Sequence, residues 1–366
     1  MKIEIRLRDL LEKNNLDHHG VIRQIAGDPS VGVNRHTIAK FYNNSVKNVS
    51  LDAIGKICEW LSVQGVPPDD LPGALFGTRQ SELWQAIAMQ RGVTIYMGEY
   101  RQIEPPMAGW RWISRRDAAV AANFVQELSN AKEIGPSPPQ VHFEYVPFRF
   151  DTTIYDVTKT PLVDDIKKAK KLFSQMKATS SHHTSILIGS QRVNYLQEFF
   201  VADLFGCIPF SQAEKNPVVP FYLVYRDIDR KVASCFGGVK NPYHRNDNAV
   251  PGIHYLSKQG WIVCPWKENK LDVGLIITLR DPGTEAIVIA VFGFSGRATD
   301  TVGKQLLLSK DRFWSSLVNV KGKEVGIFIC PFELDQNNRD DEDEDLRIKK
   351  LDIISLDEKI LKKYLR

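Results

Sequence analysis

The stretch Asn34-Arg-His-Thr-Ile-Ala-Lys-Phe-Tyr-Asn-Asn44 gathers side chains that hydrogen-bond to nucleic acid onto one short helix. Asn34 is placed to cap its N-terminus, and Ile38, Phe41 and Ala39 supply an apolar side. Arg35, His36, Thr37 and Lys40 are left to face outward. An arginine donates two parallel hydrogen bonds to a guanine edge, and a lysine brings a mobile charge to phosphate or base acceptors. Two other stretches far downstream carry a different chemistry. Ile188-Gly-Ser-Gln-Arg-Val-Asn194 and Phe292-Gly-Phe-Ser-Gly-Arg-Ala-Thr-Asp-Thr-Val-Gly303 each join an apolar strand-like run to a helix through small residues, hydroxyls and an arginine. A helix N-terminus leaves backbone N–H groups unpaired, and glycine lets an anion approach them. Gly189, Ser190, Arg192 and Asn194, with Ser295, Gly296, Arg297 and Thr299, are therefore candidates to bind a phosphate or nucleotide. Neither turn spells a Walker loop or a G-x-G-x-x-G fingerprint. Glu198 follows the first turn, where a carboxylate can attack or stabilise an anomeric carbon. With no second carboxylate, Ser-His or Cys-His pair beside it, no catalytic residue is expected, and Glu198 stands as the alternative.

The outward face of residues 34–44 needs a scaffold, and the flanking sequence supplies one. Leu7, Leu10 and Leu11 recur at helical spacing, and Asn14-Asn15 interrupts. A second short helix runs through Val21, Ile22 and Ile25 to Gly27, and Asp28-Pro-Ser-Val-Gly32 is the turn. Ser50 is placed to cap a fourth helix carrying Ile54, Ile57, Cys58 and Leu61. In "TIAKFYNN", "VSLDAIGKICEWL" and the downstream "PPDDL", this order of parts resembles the Cro/lambda-repressor (XRE) helix-turn-helix family. The resemblance implies a second helix lying across the DNA backbone and a third in the major groove, with Arg35, His36 and Lys40 near base edges or phosphates and Thr37 as a fourth contact. Residues 1–64 hold nine Lys/Arg against seven Asp/Glu, so bulk charge adds little affinity. A homodimer reading two half-sites roughly 34 Å apart would double the contacts.

The remaining chain alternates. Strand-like runs at 93–100, 141–150 and 185–188 are separated by helical periodicity at 114–128 and 164–177, and a helix with Leu196, Phe199, Phe200 and Leu204 follows. Strands are expected at 218–225, 231–236, 252–256, 261–264, 273–279 and 287–292, then a helix at 299–308 and a last buried strand at 325–330. Gly98-Glu-Tyr-Arg101 reads as a turn that could bring Glu99 or Arg101 to the same edge. This grammar predicts an all-α helix-turn-helix headpiece and an α/β Rossmann-like body with a mixed sheet. The junctions look like those of Rossmannoid sensor domains, including the SLOG-type nucleotide-binding group. The turn formers from Val66 to Gly77 mark the hinge, giving a headpiece at 1–76, a ligand-sensing body at 77–335 and, at 336–366, an acidic loop and an amphipathic helix.

A net charge of +4 and 43% hydrophobic residues describe an ordinary globular chain, neither disordered nor a wholesale polyanion binder. No apolar run reaches the roughly twenty residues that span a bilayer, and the charged N-terminus is unlike a signal peptide, so a cytoplasmic protein is expected. Cys58, Cys207, Cys235, Cys264 and Cys330 read as reduced core residues, and His18-His19 and His182-His183 lack zinc-type spacing, so neither metal nor cofactor is expected. The acids 340–345 read as a solvated loop. The expected partners are double-stranded DNA and a small phosphorylated or nucleotide-like ligand, with no membrane. The expected function is a sequence-specific, ligand-sensing transcriptional regulator. The alternative is a nucleotide-processing enzyme acting on an N-glycosidic bond, part of a defence or toxin system and using the headpiece for docking or autoregulation.

Overall fold

The computed structural model describes residues 3–5, 7–13, 16–29, 31–43, 45, 50–66, 76–78, 82–101, 109–130, 139–149, 160–227, 229, 232–244, 250–339 and 346–366. Asn14-Asn15, most of the hinge, the Pro-rich stretch near 134–138 and the acids 340–345 lie outside them. The chain forms two compact units, Met1–Gln80 and Ser81–Arg366.

In the first unit, helices α1 (Leu7–Lys13), α2 (Val21–Gly27), α3 (Arg35–Tyr42) and α4 (Leu51–Val63) enclose one small core. Leu7, Leu11, Ile25, Val31, Ile38 and Phe41 are buried in it. Both expected caps form: the Asn34 side chain accepts from Thr37 N–H at 2.9 Å, and Ser50 accepts from Ala53 N–H at 3.4 Å. Strands β1 (Ile3–Ile5) and β2 (Phe76–Thr78) pair antiparallel. Three-residue strands carry too little periodicity to be seen in the sequence.

The second unit opens with α5 (Glu82–Ala88), β3 (Gly92–Arg101), β4 (Arg111–Ile113), α6 (Arg115–Asn130), β5 (Gln140–Arg149), α7 (Thr160–Ala178), β6 (His183–Ile188) and α8 (Tyr195–Phe205). It continues with β7 (Phe221–Val224), β8 (Gly237–Gly238), β9 (Gly252–Ser257), β10 (Gly260–Pro265), β11 (Leu271–Asp281), β12 (Ala286–Gly293), α9 (Gly296–Leu308) and α10 (Lys310–Ser315). Strands β13 (Val318–Val320), β14 (Lys323–Arg339), β15 (Leu346–Leu351) and β16 (Ile354–Ser355) and helix α11 (Glu358–Tyr364) complete it. Strands β5, β3, β6 and β12 lie side by side in that order and run parallel, while β11 and β14 extend the sheet antiparallel from β12. It is a mixed α/β sheet. Chain order reverses between β3 and β6, and successive side chains serve opposite faces. Ile95, Met97, Ile186 and Ile188 meet α6 and α9 on one side, and Tyr96 and Leu187 meet α7 and α8 on the other.

Several expectations are corrected. Residues 98–101 are the end of β3, not a turn. Residues 232–236 are not a strand; pairing resumes at Gly237. Helix α8 is buried on almost every side instead of amphipathic, because α7 packs over it on the covered face of the sheet. Strand β14 runs to Arg339 and is followed by β15 and β16, which pair with it. Residues 346–366 thus belong to the body, with helix only at Glu358–Tyr364 and Leu356, Leu361 and Leu365 in its core. Polar residues after Phe332 hid the strand, since a sheet edge needs only alternate apolar positions.

The turn after β6 presses against β3: a Cβ on Gly98 would stand 2.4 Å from the Val193 carbonyl oxygen. Gly98→Ala is expected to cost about 1 to 3 kcal/mol through a backbone clash, read as a lower urea midpoint for unfolding of the body.

Candidate nucleic-acid interface and anion cleft

On α3 the two sides separate as amphipathicity requires. Ile38 and Phe41 are buried, Arg35, His36 and Lys40 are exposed, and Thr37 is half-buried with its N–H held by the cap. The C-terminal end of α3 is tied down by the Tyr42 hydroxyl, which donates to Asp17 at 3.0 Å while the Arg8 guanidinium lies 5.6 Å from its ring. Helix α2 begins after Gly20, whose φ of 98° suits glycine, and exposes Arg23 and Gln24. Arg23 was not singled out in the sequence; its position on the outer side of α2 is its signal.

In the body, the parallel strands β6 and β12 bring the two glycine turns together at their carboxyl ends. Arg192, in the first turn, donates to the Phe294 carbonyl in the second at 2.7 Å and pairs with Asp229 at 2.6 Å. Asp229 also accepts from the Arg226 guanidinium, at 2.9 and 2.6 Å, and from its N–H at 2.8 Å. Burial would raise the Asp229 carboxyl, but these hydrogen bonds and the Arg192 charge hold it below its ordinary value. Arg226 lies 4.8 Å from the Trp266 ring centre, so its plane is fixed from two directions. It faces a cavity of about 350 Å³, also lined by Arg116, Trp266, Asp272, Gly296 and Arg297, at the N-terminus of α9. Ser295 caps α9, accepting from Ala298 N–H and donating to Asp272. Burial pushes the Asp272 carboxyl up to about 6, against the Ser295 hydroxyl, the Val273 N–H and the charges of Arg297 and Arg226.

A second carboxyl lies close by. Asp117, in the first turn of α6, is 3% exposed, and one oxygen would stand 3.1 Å from a Cβ on Gly189. Burial, and then the Asp300 charge, push it up to about 7.

Residues 6–71 match the family model of the Cro/C1-type HTH DNA-binding domain. The headpiece is a helix-turn-helix of the Cro/C1 type. The match covers α1 to α4 and supports a DNA-binding regulator. No curated protein and no solved structure matches the chain. Among the described residues no helix is long and apolar enough to cross a membrane, and no group of three or more His, Cys, Asp or Glu could hold a metal ion. The five cysteines are free thiols.

The helix-turn-helix residues Arg35, His36, Thr37 and Lys40 share one side of α3. Of the eight residues proposed for ligand, Ser295, Gly296 and Arg297 line the cavity, and Arg192 braces it. Asn194 is consumed structurally: it caps α8 and donates to the carbonyls of Tyr96 and Ile188 at 3.1 and 2.9 Å. Thr299 likewise accepts from Gly293 N–H and donates to the Ser295 carbonyl. Gly189 and Ser190 form the turn beneath Asp117. Glu198 is buried and accepts from Phe210 N–H, Cys235 N–H and the Ser234 hydroxyl at 2.9, 2.7 and 2.6 Å. It anchors the segments around 210 and 235 and presents no oxygen to a substrate. Arg116, Arg226, Trp266, Asp117 and Asp272 escaped the sequence reading, because they come from segments between 116 and 272 that only the sheet gathers.

Two outcomes follow. Glu198→Ala strands three donors at roughly 1 to 3 kcal/mol each, so a loss of at least about 3 kcal/mol in urea unfolding is expected. For Asp117, the raised value means the folded chain keeps a proton that the unfolded chain has released. Its stabilisation is complete below the usual carboxylate range and is lost as pH rises through about 7. Asp117→Asn should therefore stabilise the body at pH 8, by up to about 4 kcal/mol at roughly 1.4 kcal/mol per pH unit, and by little at pH 4. Equal unfolding midpoints for parent and variant at pH 8 would contradict this.

Proposed function

We propose that the protein is a cytoplasmic, sequence-specific transcriptional regulator. It binds DNA as a homodimer through the Cro/C1-type headpiece and senses a small phosphorylated or nucleotide-like ligand in the body. The observation that carries the DNA reading is the face of α3, where Arg35, His36 and Lys40 stand exposed over buried Ile38 and Phe41 at a side-chain-capped N-terminus. Arg35, at the first position of α3, is suited to bidentate base contact, and Lys40, His36 and Thr37 to bases or adjacent phosphates. Arg23 on α2 is suited to the DNA backbone. With a near-neutral headpiece, two copies on half-sites about 34 Å apart supply the affinity that one lacks.

The ligand reading rests on the cleft. Three arginines, one of them braced by Asp229 and Trp266, converge on the N-terminus of α9, an arrangement suited to an anion. The parallel order β5-β3-β6-β12, with helices on both faces, supports a Rossmann-like body whose ligand lies beyond the carboxyl ends of the strands. Regulation then requires ligand to bind the DNA-competent and DNA-incompetent arrangements unequally. A ratio of about a hundred supplies roughly 3 kcal/mol.

Selection of genomic fragments by the full chain, followed by binding at about 150 mM salt, tests the first half. A recovered two-fold sequence is expected, and Arg35→Ala should lose about 1 to 3 kcal/mol together with discrimination at one base. No enriched sequence would refute the regulator. Arg226→Ala should abolish any rise in melting temperature that inorganic phosphate gives the parent.

A further inference from the structure

Strand β5 is the outer strand of the parallel run. It pairs with β3 from Gly92 and Gln140 to Arg101 and Arg149, and among the described residues no strand pairs with its other side. Its second half is closed, with Val146 and Phe148 buried in the core on the α7 side. Its first half is open on both faces: His142, Phe143, Glu144 and Tyr145 are all exposed, Phe143 and Tyr145 each at 42%. Val141, Phe143 and Tyr145 stand in register with Val93, Ile95 and Met97 on the α6 side, and His142 and Glu144 with Thr94 and Tyr96 on the α7 side. A sheet edge offers a row of backbone N–H and C=O groups to another strand, and edges are ordinarily blunted by lysine, proline or a covering element. The open stretch of β5 instead centres on an aromatic residue, with a basic and an acidic side chain on either side of it.

This stretch is complementary to itself. Proline has no N–H to give a ladder, so Pro139 and Pro147 bound the usable segment to residues 140–146, whose midpoint is Phe143. When two copies run antiparallel about a two-fold axis at Phe143, each residue faces the one equally far beyond the midpoint. On one face the two Phe143 rings meet and Val141 meets Tyr145; on the other, His142 meets Glu144, twice. Side chains alternate between faces, so a register that keeps each on its own face can slide only by two residues. A slide one way sets the two Glu144 carboxylates opposite each other, and a slide the other way does the same to the two His142 rings. Aromatic and opposite-charge cross-strand pairs stabilise, whereas like charges directly opposite destabilise. We propose that β5 is the homodimer interface of the body: residues 140–146 of two copies pair antiparallel about Phe143 and continue the sheet from one copy into the other. This rests on the homodimer reading and gives it a surface. A two-fold contact needs one patch that fits itself, and because each copy uses its β5 edge in the pairing, growth along that edge stops at two.

Sedimentation equilibrium of the full chain at pH 7 tests the pairing. The parent should be dimeric at micromolar concentration. His142→Glu sets carboxylate against carboxylate at two places and should weaken association by about tenfold or more. Adding Glu144→Lys to it restores opposite charges in both pairs and should return association to near that of the parent. Phe143→Lys, which brings two ammonium groups together at the axis, should give monomer. All three positions are exposed, so the substitutions leave the core untouched, and recovery in the double variant separates lost pairing from lost folding. Unchanged association in His142→Glu, no recovery in the double variant, or a dimeric Phe143→Lys overturns the pairing about Phe143 and leaves the homodimer reading standing. A monomeric parent overturns the homodimer reading and this proposal with it.

Discussion

The body depends on the bracing of two turns by one guanidinium. Arg192 leaves the turn after β6, donates to the Phe294 carbonyl in the turn after β12, and shares Asp229 with Arg226. Parallel strands present their carboxyl ends at one edge, but nothing in strand pairing sets the distance between the turns that follow. A charge-assisted bond from one turn to the backbone of the other does so, and its counter-ion orients the arginine that faces the cleft. Two positive side chains with one buried carboxylate between them avoid the repulsion that would otherwise splay them.

That bracing is made affordable by packing on both faces of the sheet. Strand β12 is buried along its whole length, and α8 is enclosed almost completely, so Glu198 and Asn194 can be spent on tying loops and capping a helix without contact with water. Asn194 is matched to backbone partners, and Glu198 to two backbone N–H groups and the Ser234 hydroxyl, which is the condition under which buried polar groups are tolerated. Asp117 accepts no hydrogen bond from another described residue, and burial and the Asp300 charge raise its carboxyl. The headpiece shows the converse economy: a small core centred on Ile38 and Phe41, two side-chain caps, and an outward face left free of structural duty.

Much of this was legible in the sequence. Periodicity located α3 and its cap, the order of α1 to α4, the βα alternation of the first half of the body, and the two glycine turns. The rest was hidden for specific reasons. Strands of three residues, such as β1, β2 and β4, fall below any period. The extension of β14 past Phe332 was masked by polar residues that an edge position accepts. Glu198 sat in a helix whose burial arises from neighbours far away in sequence, so an acid offered as the alternative catalytic residue became an internal anchor.

The sequence by itself determined the four helices of the headpiece, the caps of α3 and α4, most of the longer strands and helices of the body, and which face of α3 carries arginine, histidine and lysine, because these follow from local spacing and from the hydrogen bonds that cap residues make with their own neighbours. Only the tertiary structure decided which polar residues are spent on the fold and which face open space. It turned Asn194, Thr299 and Glu198 inward, and gathered Arg116 with Asp117, Arg226 and Arg297 at one edge from three separate segments. That outcome is set by burial and by distances between segments remote in the chain, and a linear pattern carries neither.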